Sequence, residues 1–206
     1  MVQLWEGGPY WATRNIGAEK SEDYGYYFWW GDTIGYKWEN EQWVASDGSV
    51  SGFSFSGANP PTYGKDLATL QSEGWIISKD DTYVLAPEHD AAQVHWGGNW
   101  RMPTDRELVD LCDKCDWEWT TLNGKRGLFI RGRGAYALAS IFLPEAGSGM
   151  GDRRNEFSNG YFWASVPYPD DNDNAMRLRT SKDAHYVAQD YRSYGYSIRP
   201  VQSPAE

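Results

Sequence analysis

Residues 160–201, GYFWASVPYPDDNDNAMRLRTSKDAHYVAQDYRSYGYSIRPV, decide the fold of this chain. Apolar residues recur at alternate positions between turn-forming Pro, Asp, Asn and Gly residues, and this pattern predicts short strands. Side chains of a strand alternate between two faces, so Arg177 and Arg179 share one face of a strand over 174–180, and Met176 and Leu178 share the other. We therefore predict a half-buried sheet with an apolar inward face.

The outward face of this predicted sheet has the composition of a binding surface. Tyr, Arg, Asp and Ser together are typical of paratopes, which make contacts with little loss of side-chain entropy. A rigid sheet also holds arginines in position for a partner's carboxylate, carbonyl or aromatic ring. The alternative is an ordinary solvated sheet face, since any half-buried strand has polar outward positions. The expected contact residues are Tyr161, Arg177, Arg179, Asp183, His185, Tyr186, Asp190, Tyr191 and Arg192, and the expected buried framework is Trp163, Met176, Leu178 and Ile198.

Composition and charge narrow the class of protein. The 206 residues include 12 Trp and 14 Tyr but only 23% charged residues, which is typical of a loop-rich globular protein with aromatic packing. A net charge of -10 repels phosphate backbones, so we expect no nucleic-acid partner. No run approaches the roughly 20 apolar residues of a membrane span, and the start MVQLWEGGPYW lacks the features of a signal peptide.

Turn and cap signals divide the remaining chain into short elements. Asp47-Gly48 and Asn123-Gly124 each separate two strand-like runs and predict β-hairpins. Pro87 opens a predicted helix that runs to Trp96. Residues 104–107, TDRE, form a capping box that opens a second helix, whose apolar stripe is Leu108, Leu111, Cys112 and Cys115. Residues 65–73 suggest one further short helix. We expect one α+β domain over 1–201, with small antiparallel sheets and two main helices, and a tail over 202–206.

The sequence offers little catalytic or metal-binding chemistry. Cys112 and Cys115 form one C-x-x-C without a second pair, and on an apolar helical stripe they are expected to be buried, inert thiols. His89 and His95 are six residues apart, which does not place them on one helical face. The acidic cluster 170–174 lacks the pattern of an EF-hand loop and is expected to be a turn. We therefore expect no metal site, no cofactor and no catalysis.

Five segments resemble the landmarks of the bacterial major paralogous domain. They are YWATRNIGAEKSEDYGYYFWWGDT (10–33), WGGNWRMPTDRE (96–107), SIFLPEAG (140–147), GYFWAS (160–165) and GYSIRPV (195–201). That domain is a C-type-lectin-like fold of the branch that also contains formylglycine-generating enzymes. The resemblance implies that the first and last strands pair, that two helices pack on a small antiparallel sheet, and that the C-terminal sheet displays a binding face.

The same branch includes the variable proteins of diversity-generating retroelements, and residues 160–201 resemble their variable region. There, adenine-directed mutagenesis rewrites selected codons near the C-terminus. AAY codons cannot change at adenine into Trp, Met, Lys, Gln or Glu, so the resemblance implies that Trp163, Met176, Lys182 and Gln189 are fixed. The Arg, Tyr, Asp and His positions are permitted to vary. It also implies a macromolecular ligand, either a cell-surface protein or a glycan, and a location outside the cell or on a cell or virion surface.

Two other functions remain open at this point. One is a carbohydrate-binding surface module, calcium-dependent or calcium-independent, although the Glu-Pro-Asn and Trp-Asn-Asp motifs of calcium-dependent lectins are missing from the sequence. The other is an oxidase of the formylglycine-generating type. That chemistry requires a pair of reactive cysteines, and Cys112 and Cys115 lie on a predicted helix instead.

Overall fold

The structure is a computed structural model that describes residues 1–49, 52–155 and 158–204. It is β-rich, with 40% strand and 12% helix in many small antiparallel sheets, so the predicted α+β class is wrong. The physical reason is the spacing of the turns. Gly, Asn and Asp interrupt the sequence so often that most segments are long enough for a two-stranded hairpin, but too short for a helix of several turns.

Three short α-helices are present in the described residues: α1 (Leu67–Ser72), α2 (Ala91–Trp96) and α3 (Asp105–Lys114). A 3-10 turn covers Gly134–Tyr136. The capping box predicted for α3 is confirmed, because Thr104 and Glu107 each accept a hydrogen bond from the other's main-chain N–H. The helix predicted from Pro87 begins later, at Ala91. The carboxylate of Asp90 accepts the N–H groups of Ala92 and Gln93 and so fixes the start there.

Sixteen strands are present in the same part of the chain. In chain order they are β1 (Val2–Gln3), β2 (Tyr10–Trp11), β3 (Tyr36–Glu39), β4 (Gln42–Ala45), β5 (Ile76–Lys79), β6 (Thr82–Leu85), β7 (Trp100–Arg101), β8 (Asp116–Leu122), β9 (Lys125–Arg131), β10 (Ser140–Pro144), β11 (Ser148–Met150), β12 (Arg153–Asn155), β13 (Asn159–Pro167), β14 (Asn174–Ser181), β15 (His185–Tyr191) and β16 (Val201–Gln202).

Strands from the two ends of the described chain lie side by side. The four-stranded sheet has the order β1-β2-β16-β7, and Val201 pairs with both Trp11 and Arg101. Because β16 lies between β2 and β7, the C-terminal segment holds two segments together that are about 90 residues apart. The resemblance implied that the first and last strands pair, but the last strand, β16, pairs with the second strand, β2, and β1 lies on the other side of β2.

Hairpin turns were predicted correctly at one of two places. Asn123 and Gly124 both have positive φ, 47° and 82°, as the tight turn between β8 and β9 requires. The hairpin predicted at Asp47-Gly48 is wrong, because β3 and β4 turn earlier, at Asn40 and Glu41 with φ of 50° and 59°. Of its expected second strand, residues 50 and 51 lie outside the described residues, and residues 52–55 form no strand.

The sheet β13-β14-β15 lies between two apolar clusters. On one side Leu178 packs with Leu108 and Leu111 of α3. On the other side Trp163 and Ala175 pack into a second cluster. A third cluster beneath the loops is almost wholly aromatic and contains Tyr27, Trp29, Tyr36, Trp43 and Phe55. The sheet is thus partly covered on both faces, and not on one face as the alternation predicted.

A buried arginine joins the C-terminal segment to two distant parts of the chain. Arg199 is 1% exposed. Its Nε donates to Asn15 Oδ1 at 2.9 Å, Nη1 donates to the Ala12 carbonyl at 3.2 Å, and Nη2 donates to the Phe142 carbonyl at 2.9 Å. Burial lowers the pKa of Arg199 to about 9, which still leaves the guanidinium charged at neutral pH. The three oxygen acceptors replace the water that a buried cation needs.

Replacing Arg199 should destabilise the whole fold. Arg199→Met leaves three oxygens in a dry interior without donors, and we expect a loss of about 3–5 kcal/mol in the free energy of unfolding. The measurement is urea unfolding followed by tryptophan fluorescence. Arg106→Gln, on the exposed face of α3, is the matched control and should change stability by less than about 0.5 kcal/mol. Equal unfolding midpoints for the two variants would contradict this role of Arg199.

Candidate functional site

The candidate site is one face of the sheet β13-β14-β15. Strand pairing places Tyr161 opposite Arg179, and Arg179 opposite Tyr186, so the three side chains form a row across the sheet. Arg177 lies in the next row on the same face, and Asp190 lies beyond it. We call the surface formed by these residues, together with Tyr191 and Tyr194, the Tyr–Arg face. Six of its seven members come from the three strands of the sheet, and Tyr194 follows β15.

Arg177 is an internal member of this face. Its Nε donates to Asp190 Oδ2 at 3.1 Å, and its guanidinium lies 5.7 Å from the ring centre of Tyr161 and 5.4 Å from that of Tyr186. Asp190 Oδ2 also accepts the hydroxyl of Tyr196 at 2.7 Å. Arg177 is only 7% exposed, so the prediction that it projects toward a partner is wrong. A second layer of tyrosine rings covers it, and strand alternation alone does not reveal such a layer.

Arg179 is the more accessible arginine, and its charge is not neutralised. Nη1 donates to the Tyr186 hydroxyl at 2.9 Å, and Nη2 donates to Asn159 Oδ1 at 3.3 Å. No carboxylate of the described residues lies within 4.0 Å of it. The hydrogen bond with Tyr186 is the main reason that the pKa of Arg179 is raised, and the same bond lowers the pKa of Tyr186. The face therefore has two cations and one anion.

Tyrosine rings extend the face toward the end of β15. Tyr161 stacks on Tyr196 with ring centres 4.8 Å apart, Tyr194 lies 6.0 Å from Tyr196, and Tyr191 meets Tyr194 edge to face at 5.7 Å. Tyr186 is 40% exposed and Tyr191 is 52% exposed. Large rings that pack on one another while remaining open to solvent offer contact area at low entropic cost. Tyr194 was missed by the sequence reasoning, since it follows β15 in a turn where alternation gives no signal.

Arg192 belongs to the interior. It is 1% exposed, and its guanidinium lies 5.0 Å from the ring centre of Trp30. It donates to three main-chain carbonyls, those of Asn174, Thr62 and Lys65, at 2.9 to 3.0 Å. Burial lowers its pKa to about 10, so it stays charged at neutral pH. The prediction of an outward contact residue is wrong, because these carbonyls from a distant loop draw the side chain inward.

Asp183 and His185 are separated from the Tyr–Arg face. Asp183 is exposed in the three-residue connection between β14 and β15. His185 stacks on Trp117 of β8 with ring centres 4.1 Å apart, and partial burial lowers its pKa. Beside them Lys182 Nζ lies 5.6 Å from the ring centre of Trp119. The predicted contact set thus divides into a sheet face and a separate hairpin tip, where Trp117 and Trp119 are neighbours that the sequence did not indicate.

The framework residues are inside. Trp163 and Leu178 have no exposed surface, Ile198 has 1%, and Met176 is partly buried against the cluster beneath α3. Trp163 Nε1 also donates to the Phe28 carbonyl at 2.8 Å, which satisfies its polar atom. Trp163 also contacts the ring of Tyr196 at 4.4 Å, so the inner tyrosines pack on this framework, whereas Tyr186 and Tyr191 lie outside that cluster.

The two cysteines are poor nucleophiles. Cys115 is buried and Cys112 is half-buried, and both thiols are free. Burial is the main cause that raises the pKa of Cys112 to about 12 and that of Cys115 to about 11. Thiolates are the reactive form of cysteine, so neither residue is activated at neutral pH. Cys115 follows the last residue of α3 in an extended conformation, and not on the helix as predicted.

Residues 170–174 form a turn in which two carboxylates accept hydrogen bonds from main-chain N–H groups. Asp171 Oδ1 accepts the N–H of Asp173 at 2.8 Å, and Asp173 Oδ1 accepts the N–H of Gly64 at 2.9 Å. Residues 1–49, 52–155 and 158–204 contain no group of three metal-ligating side chains.

A large cleft lies away from this face. It has a volume of about 840 Å³ and is lined by β5, β6, β7 and the segment after β16. Two of its charged groups are engaged by other parts of the chain: Arg101 makes two hydrogen bonds to Glu107, and both oxygens of Asp90 accept a main-chain N–H. We therefore place the candidate site at the Tyr–Arg face and not in this cleft.

Comparisons of the chain with protein-family models, with curated proteins and with solved structures found no match. The resemblance to the bacterial major paralogous domain consequently rests on the five sequence segments. Within the described residues, no helix is both long and apolar enough to cross a membrane.

The interior Arg192 and the contact residue Arg179 should respond very differently to the same substitution. Arg192→Gln leaves buried carbonyls without donors and should cost about 3–5 kcal/mol in the free energy of unfolding. Arg179→Gln, at a half-buried position, should cost about 1 kcal/mol or less. Thermal and urea unfolding of both variants measure the difference. If Arg179→Gln proved as destabilising as Arg192→Gln, the division into interior and contact residues would be wrong.

The thiols should be protected in the native chain. Since their pKa values are raised to about 12 and about 11, the thiolate fraction at pH 8 is roughly a hundredfold or more below that of an ordinary cysteine. We expect slow reaction with an aromatic disulfide reagent at pH 8, and fast reaction of both cysteines in guanidinium chloride. Rapid modification of either cysteine in the native protein would show an activated thiol and contradict this assignment.

Proposed function

We propose that this chain is a non-catalytic ligand-binding protein whose Tyr–Arg face contacts a macromolecular partner. One observation carries the proposal: the exposed Tyr186 lies in register with the half-buried, unneutralised Arg179, and the exposed Tyr191 ends the same strand beside a packed framework. Tyr and Arg are the residue types that most often dominate the binding energy of interfaces. The protein's net charge of -10 makes a cation on this face a locally distinct feature.

The proposal includes diversification of this face, as in the retroelement variable proteins that residues 160–201 resemble. Diversified contacts need a scaffold whose stability does not depend on them. Exposed positions such as Asp183, Tyr186 and Tyr191 meet that condition, because surface substitutions usually change stability by less than about 0.5 kcal/mol. Arg177 and Arg192 do not meet it, since both are buried and hydrogen-bonded. We therefore assign both arginines to the fixed framework and remove them from the positions that are expected to vary.

The partner in this proposal is a protein or a glycan met outside the cell, on a cell or virion surface. The alternative oxidase receives no support, because its chemistry needs a reactive thiol and both thiols here have raised pKa values. No observation favours the calcium-dependent sugar-binding alternative.

The coding locus tests the diversification directly. We expect a reverse-transcriptase gene and a near-copy of the segment encoding residues 160–201 close by, with mismatches confined to adenines of the copy. We further expect the mismatches to fall on codons of exposed positions such as Tyr186 and Tyr191, and not on those of Trp163 or Arg192. A locus without such a copy would remove diversification from the proposal and leave a face of fixed specificity.

A displayed library tests the separation of contact and framework residues. One yeast-display library randomises Tyr161, Arg179, Asp183, Tyr186 and Tyr191. A second library of equal size randomises Trp163, Arg177, Leu178, Arg192 and Ile198. Protease resistance of the displayed chains reports folding. We expect most members of the first library and few of the second to stay resistant, since only the second disrupts buried groups. Equal loss in both libraries would contradict the proposed scaffold.

A further inference from the structure

Strand β15 is the edge of its sheet and has main-chain groups with no partner. The N–H of Ser181 donates to the Ala184 carbonyl at 2.7 Å, which marks the first hydrogen-bonded pair of the β14-β15 ladder. Hydrogen-bonded and non-hydrogen-bonded pairs alternate in an antiparallel ladder. Residues 186, 188 and 190 therefore bond to β14, while Val187 and Gln189 direct their N–H and C=O groups away from it. No described residue accepts from or donates to those groups.

The unneutralised cation of the face lies toward this open edge. Arg179 is on the central strand, but its Nη1 donates to the hydroxyl of Tyr186, which belongs to β15. A further strand beside β15 would lie about 4.8 Å from it, so side chains on the same face could reach the guanidinium. The free edge and the free charge are therefore accessible to the same bound segment.

The chemistry of these groups selects a carboxylate. Arg177 is already paired with Asp190, whereas Arg179 has no carboxylate partner among the described residues and retains unused N–H donors. The Tyr186 oxygen accepts from Arg179, which leaves its hydroxyl hydrogen available to an acceptor. A carboxylate accepts from a guanidinium and a hydroxyl together. One uncompensated positive charge on a strongly acidic protein suits a single carboxylate better than a polyphosphate, which the net charge repels.

We propose that the open edge of β15 binds an extended peptide segment of a partner protein as a fourth strand, and that one acidic residue of this segment binds Arg179 and Tyr186 through its carboxylate. Main-chain hydrogen bonds to Val187 and Gln189 provide affinity, and the carboxylate provides specificity. This assignment rests on the proposed function, because it specifies the partner's chemistry at the same face.

Selection from a random 12-residue peptide library displayed on phage, with the full chain as target, tests the assignment. We expect selected peptides to be enriched in Asp or Glu at one position, and synthetic copies to bind with micromolar affinity by calorimetry. Changing that residue to Asn or Gln should weaken binding at least tenfold, and so should Arg179→Gln in the protein. Arg131→Gln, an exposed arginine of β9 outside the face, should have no effect.

The strand addition has its own readout. Gln189→Pro removes an N–H that points away from β14, so it should leave the ladder and the circular dichroism spectrum intact but weaken peptide binding at least tenfold. If that variant does not fold, N-methylation of alternate amides in the peptide makes the same test and should weaken binding equally. Unchanged affinity with the N-methylated peptide would overturn the fourth-strand arrangement.

The outcomes separate this inference from the proposed function. Peptides that lose binding with Tyr186→Ala, but lack an acidic residue or ignore N-methylation, would leave the face as a binding surface and overturn the acidic fourth strand. If no peptide depends on Tyr186 or Arg179, or if no peptide binds at micromolar affinity, the acidic fourth strand is overturned, whereas the proposed function is overturned by the displayed libraries described above.

Discussion

The fold depends on a buried cation that is neutralised by dipoles and not by a carboxylate. Arg199 joins the C-terminal segment to Ala12 and Asn15 near the N-terminus and to Phe142 in the middle of the chain. Arg192 makes the same kind of contact with carbonyls of a distant loop and of β14. A chain of short strands has few long ladders to hold it together, so such arginine–carbonyl contacts fix the loops. Their geometry is specific, because the planar guanidinium donates in defined directions.

Arginines in and next to the Tyr–Arg face have opposite roles. Arg177 and Arg192 are enclosed and support the scaffold, whereas Arg179 retains donors and an uncompensated charge. The difference follows from the neighbours of each guanidinium. Tyrosine rings and Asp190 enclose Arg177, and loop carbonyls accept the hydrogen bonds of Arg192. Arg179 is hydrogen-bonded to Tyr186 and Asn159 and to no carboxylate of the described residues. Contact and framework are therefore divided residue by residue, and not segment by segment.

Local signals in the sequence predicted local structure well. The capping box of α3 and the Asn123-Gly124 hairpin are present, because each rests on groups only a few residues apart. The hairpin between β3 and β4 was missed because its turn uses Asn40 and Glu41 without a glycine. Alternation correctly divided β14 into two faces, but it could not show that Trp163 and Ala175 pack under a second layer, or that Arg192 turns inward. Those outcomes depend on contacts between residues up to about 130 positions apart, which no single window contains.

The central place of β16 in its sheet has a consequence for synthesis in the cell. Strands β2 and β7 do not pair with each other. Each pairs with β16, which ends at residue 202. The nascent polypeptide therefore cannot close this sheet until that residue has left the ribosome exit tunnel. Until then, the edge of β2 that faces β16 has no strand partner, and unpaired strand edges of this kind make incomplete chains prone to aggregation.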